Sequence, residues 1–155
     1  MKKYLIFIIV TTLISGCAGP RFTVSPISSE NQLKEITVVK DDATREVFLD
    51  SIESWCLDNS YNCTVVPDRS KHVPEELTLN YVSRWSWDFT TFIADAEIKA
   101  YKNQQLVGEV TFLAPNSSNF NKFGDDKKRI KTMIELLFGS MTELDANKKL
   151  TTNEL

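Results

Sequence analysis

Leu77-Thr78-Leu79-Asn80-Tyr81-Val82-Ser83-Arg84-Trp85-Ser86-Trp87-Asp88 alternates apolar and polar side chains, and that period of two marks a long, half-buried strand. After Thr90-Thr91 the same period returns. Phe92, Ala94, Ala96, Ile98 and Ala100 share one face, and Asp95, Glu97 and Lys99 share the other. Lys102-Asn103-Gln104-Gln105 is polar and short enough to be a hairpin connection, after which Leu106, Gly108, Val110 and Phe112 line up as the apolar face of a third strand ending at Leu113. The meander therefore predicts three antiparallel strands. Its middle strand offers mostly alanine to the core, which leaves room for a bulky element, most simply a helix lying across the sheet.

Upstream, Ile36-Thr37-Val38-Val39 reads as a short strand, and Asp41-Asp42-Ala43-Thr44 supplies side-chain oxygens for a helix cap. Val47, Phe48, Ser51, Ile52, Trp55 and Cys56 then fall on one stripe at three- and four-residue spacing, which is an amphipathic helix. Asn59-Ser60-Tyr61-Asn62 breaks it, and Cys63-Thr64-Val65-Val66 is a second strand, so the three elements form a βαβ unit with an expected right-handed crossover. Downstream, Asp125-Asp126 caps a helix with its apolar stripe at Ile130, Met133, Ile134, Leu137 and Phe138, and Gly139 ends it. The expected fold is α+β in a single domain. It is a five-stranded mixed sheet, a βαβ unit followed by a three-strand antiparallel meander and a closing helix, with helices on one face.

Four segments follow: 1–16 as a leader, 17–34 as an anchor and tether, 35–139 as the α/β domain, and 140–155 as a tail where the pattern weakens. Gly19, Pro20, Pro26 and three serines give the tether its character. An alternative is that Phe22 and Val24 dock as an edge strand.

Met1-Lys2-Lys3 and the apolar run Tyr4 to Ile14 make a secretory signal too short to span a bilayer. The run closes in Leu13-Ile14-Ser15-Gly16-Cys17, which resembles the lipobox of bacterial lipoproteins. That resemblance implies removal of residues 1–16 and acylation of Cys17, with Ile14 replacing the commoner leucine. Ala18 resembles the sorting pattern for the outer membrane, so the implied location is its periplasmic face, held by several acyl chains.

Loss of Lys2 and Lys3 leaves 18 − 2 = 16 basic residues against 21 acidic ones, a formal charge of −5. That balance argues against nucleic acid as a partner and against a polybasic hold on anionic lipid. With Cys17 acylated, Cys56 and Cys63 remain, and an oxidising compartment favours a disulfide between them over two buried thiols. Six intervening residues and no nearby histidine argue against a metal or redox site.

His72, the single histidine, sits in the polar connection Asp68-Arg69-Ser70-Lys71-His72-Val73-Pro74 and reads as a surface residue. Asp95 and Glu97 lie on the solvent side of a strand, Lys127-Lys128-Arg129 and Lys131 give the last helix a basic face, and no phosphate-binding loop or nucleophile motif is present. No catalytic residue, cofactor or metal is expected. Tyr81 to Phe89 is the densest aromatic stretch, and its arginine and tryptophans are of the kind enriched in contact surfaces. Trp85 and Trp87 share a face with Leu79 and so could instead pack beneath a helix. Phe120 and Phe123, in the Asn-rich loop, are the better candidates for exposure.

The element order resembles that of small periplasmic domains of envelope lipoproteins, including the penicillin-binding-protein activators, and of the N-terminal domain of TolB. The expected function is accessory: a lipid-anchored periplasmic lipoprotein that binds an envelope protein without catalysis, through Trp85, Trp87, Phe120 and Phe123. The alternative is a cell-wall or small-ligand module using the aromatic sheet face.

Overall fold

The computed structural model describes residues 21–114 and 120–155; Cys17 with the leader, and residues 115–119 of the Asn-rich loop, lie outside the described residues. The strands are β1 (Arg21–Ser25), β2 (Glu35–Val39), β3 (Asn62–Val66), β4 (Leu77–Asp88), β5 (Thr90–Lys102) and β6 (Gln105–Leu113). The helices are α1 (Glu46–Asp58), α2 (Asp126–Leu137) and α3 (Glu143–Thr151).

They form one mixed sheet of order β1-β6-β5-β4-β2-β3, so the five-stranded expectation is corrected to six. The meander is antiparallel, and β2 runs parallel to both β3 and β4. The added strand comes from the stretch read as tether. It pairs antiparallel with β6, with Phe22 opposite Phe112 and Val24 opposite Val110. Its outer edge is closed by α3, from the stretch read as tail. The Asn147 side chain accepts from the Phe22 amide at 2.7 Å and donates to its carbonyl at 3.1 Å, and Glu143 accepts from the Val24 amide at 3.1 Å. An otherwise open sheet edge is thereby capped by side chains.

Ladder register puts Leu79, Tyr81, Ile98, Ala100, Val110, Phe112 and Phe22 on a common inner face, where all are buried. Alternation places Asn80, Glu97, Lys99 and Glu109 on the other face. Helix α2 packs on β5, β6 and α1, over the small side chains of the middle strand.

The helix ends show how local chemistry sets the boundaries. Asp125 caps α2 by accepting from the Lys128 amide at 3.1 Å, and Gly139, at φ +71°, turns the chain out of it. The Ser140 amide then reaches back to the Glu135 carbonyl at 2.9 Å, closing a C-terminal motif that needs this left-handed residue. The first helix starts differently from expectation. Its N-cap is Arg45, with no side-chain cap, and the Asp41 carboxylate, four residues upstream, instead accepts from the Thr44 hydroxyl at 2.5 Å.

Candidate functional site

Strand direction decides what meets at each end of the sheet. Arg21 is opposite Leu113, Leu113 is opposite Asp95, and Asp95 is opposite Arg84, so these four residues form one row across β1, β6, β5 and β4. Beyond that row β4 and β5 continue as a two-stranded arm in which Trp85 faces Ile93, Trp87 faces Thr91 and Asp88 faces Thr90. A register shift between Arg84 and Trp85 marks where the arm leaves the sheet.

The arm separates the two tryptophans that the sequence placed together. Trp85 is half-buried, its indole N–H donating to the Ser83 hydroxyl at 2.9 Å while the Arg45 guanidinium lies 4.5 Å from the ring centre. Trp87, two residues further out, is 71% exposed. Phe89 forms the apex at 87% exposure and with φ +63°, a left-handed conformation that costs a bulky side chain.

The short 3-10 turn Phe120–Lys122 lies against this arm. Lys122, itself buried, pairs with Asp88, and its ammonium lies 5.4 Å from the Phe92 ring and 5.0 Å from the Phe123 ring. Phe123 meets Phe92 edge to face, with centroids 5.5 Å apart, and is half-buried, whereas Phe120 is 76% exposed. The four aromatic candidates thus divide. Trp85, at the base of the arm, and Phe123, against Phe92, are half-buried, whereas Trp87 further out on the arm and Phe120 on the adjoining turn are exposed. Phe89 closes the aromatic stretch that the sequence offers as a contact surface, and the broken alternation at Asp88-Phe89-Thr90 is the signal of its place at the turn.

The titratable groups elsewhere pair with one another. Arg84 holds Asp95 through Nη2 at 2.5 Å and Nε at 2.7 Å, and Lys99 holds Glu97 at 2.8 Å and Glu109 at 3.3 Å. Hydrogen bonding to Glu97 is the main reason that the Lys99 pKa is raised. His72 packs against Tyr101, centroids 4.5 Å apart, at an open concavity that Arg69, Lys71 and Gln104 also line. Among the described residues no three histidine, cysteine or carboxylate side chains are grouped to hold a metal ion.

Burial raises the pKa of Asp126, against the hydrogen bond it accepts from the Ile93 amide at 3.4 Å and the positive charge of Arg129. A raised folded-state value means that the fold binds this proton more tightly than the unfolded chain does. Its ionisation therefore costs stability as the pH climbs from the ordinary value of 3.8 through the folded value, and that cost is absent below both. Asp126→Asn keeps an acceptor for Ile93 and removes the titration. Urea unfolding of both proteins at about pH 3.5 and about pH 7 is expected to show the variant gaining on the wild type at the higher pH.

No family model matches the chain, and no curated protein matches it in sequence. Among solved structures, the PelC dodecamer from Paraburkholderia phytofirmans is similar with a TM-score of 0.48 at 7% identity, over 79% of this chain and 97% of that one. A minor lipoprotein from Acinetobacter baumannii is similar with a TM-score of 0.31 at 6% identity, over 79% of this chain and 93% of that one. Both likenesses are distant.

Proposed function

We propose that this chain is a lipid-anchored, non-catalytic accessory protein of the bacterial envelope. Acylated at Cys17 and facing the periplasm from the outer membrane, it binds an envelope protein with its folded body. The observation that carries a role in contact at the envelope surface is the aromatic end, where Trp87 and Phe89 stand exposed on the arm and Phe120 on the turn that braces it through the Asp88–Lys122 pair. Exposed apolar side chains of this kind mark sites that meet a protein or a membrane. The charged side chains of the sheet, by contrast, are engaged with one another, Arg84 with Asp95 and Lys99 with both Glu97 and Glu109, an arrangement suited to solubility.

Two measurements test the reading. Metabolic labelling with an alkyne fatty acid is expected to mark the wild type and leave Cys17→Ala unmarked; equal labelling of both removes the anchor. Chemical crosslinking in intact cells, followed by purification, is expected to recover one defined envelope protein. Retention on peptidoglycan sacculi with no protein adduct would overturn this in favour of a cell-wall module.

A further inference from the structure

Resting on the acylation of Cys17 proposed above, we infer that the aromatic end sits in the lipid interface beside the anchor, leaving the remaining surfaces to the protein partner. Arg21 opens β1 in the row that crosses Leu113, Asp95 and Arg84. Three residues, Ala18, Gly19 and Pro20, separate it from Cys17, and the four Cα-to-Cα steps span at most about 14 Å when fully extended. Trp87 lies three residues beyond Arg84 on the arm, which at the rise of a strand is roughly 10 Å past the row, and Phe89 lies two residues further. The acylated residue is thus tied to the same end of the sheet as the aromatic arm, by a leash about as long as the arm's projection. The opposite end of the sheet, at Asn103-Gln104, faces away.

The chemistry of the arm fits that position. Trp favours the boundary between headgroups and acyl chains, and Phe is among the apolar residues that interfacial segments bury there. Leu113 in the starting row is 45% exposed and adds apolar surface at this end. Asp88 is the charge nearest the apex, and Lys122 neutralises it. The left-handed conformation at Phe89 is a further sign, because a glycine or asparagine would make this turn at lower cost, yet the apex carries a large apolar ring.

The acylated protein, purified from membranes and reconstituted into phosphatidylethanolamine and phosphatidylglycerol vesicles with brominated acyl chains, provides the test. The emission of Trp87 is isolated as the difference between the wild type and Trp87→Phe. It is expected to fall at least two-fold relative to vesicles without bromine and to be shielded from aqueous iodide. Protein that floats with the vesicles while Trp87 stays bright with brominated lipid and open to iodide overturns the inference and leaves the anchor intact. Protein that does not float overturns the anchor, and the inference with it. A benzophenone side chain at position 89 in living cells supplies a second measurement that does not depend on tryptophan. Phospholipid adducts support the lipid seat, and adducts to another protein or to a second copy of this chain overturn it.

Discussion

Arg129→Ala is expected to lower the stability of the domain by about 3 to 5 kcal/mol, the largest effect of any single substitution considered, because it empties a buried hydrogen-bonding knot. Arg129 is fully buried, on α2. Its Nη1 donates to the Lys122 carbonyl at 2.7 Å, and its Nη2 donates to the Asn121 carbonyl at 2.5 Å and the Leu155 carbonyl at 3.4 Å. Burial pushes its pKa down, and the Asp126 and Asp125 carboxylates oppose that shift, so the side chain stays charged. One guanidinium therefore ties together the turn that supports the aromatic arm, the helix α2 and Leu155, four residues past α3. Removing it strips a donor from each carbonyl and leaves Asp126 without its nearest cation. Arg129→Met fills most of the volume while restoring no hydrogen bond, so it separates packing from bonding. The methionine variant is expected to recover less than half of the loss in urea unfolding; full recovery would show that the arginine acts through its bulk. Gly124→Ala probes the same knot from outside, since an added Cβ would lie 1.9 Å from the Leu155 carbonyl oxygen and 2.2 Å from the Arg129 guanidinium.

What the sequence could reveal depended on whether the determining contact was local. The meander was legible because alternation over β4, β5 and β6 reports one buried face directly, and α2 was legible because its stripe and both caps lie within its own residues. Strand β1 was only half legible. Arg21-Phe22-Thr23-Val24-Ser25 has the right alternation, but its ladder partner is Leu113 to Glu109 and its outer edge is closed by Asn147 and Glu143, all distant along the chain. Helix α3 shares that cause, because few apolar residues, among them the buried Ala146 and Leu150, hold it down and its polar side chains work on β1. The aromatic candidates divided for a third reason. Parity puts Trp85 and Trp87 on one face, but parity does not say where the covering layer ends, and here it ends between them. Asp41 fails as a cap for want of position: α1 starts at Glu46 with Arg45 as its N-cap, four residues past Asp41, and the Asp41 carboxylate accepts from Thr44 instead.

Breaking the Cys56–Cys63 disulfide, by reduction or by the double change Cys56→Ala and Cys63→Ala, is expected to cost about 2 to 3 kcal/mol without dissolving the fold. The two cysteines are seven residues apart in sequence, with Cα atoms 6.2 Å apart, joining the last turn of α1 to the start of β3. Closing so short a loop removes less unfolded-state entropy than a long crosslink does, which sets the lower half of the usual range. The corner it pins is held independently by aromatic packing. Trp55 stacks on Tyr61 with centroids 4.9 Å apart, Phe138 lies 4.7 Å from Trp55, and the Lys34 ammonium stands 3.9 Å from the Tyr61 ring centre. These contacts keep α1 on the sheet when the covalent link is lost. The near-ultraviolet circular dichroism of the reduced protein should then stay native at room temperature while its thermal midpoint falls by roughly 10 °C. A collapse of the aromatic signal on reduction would mean that the disulfide, and not the Trp55 cluster, positions the helix. An unchanged midpoint would mean that the unfolded chain already keeps this corner closed, so that the crosslink has little entropy left to remove.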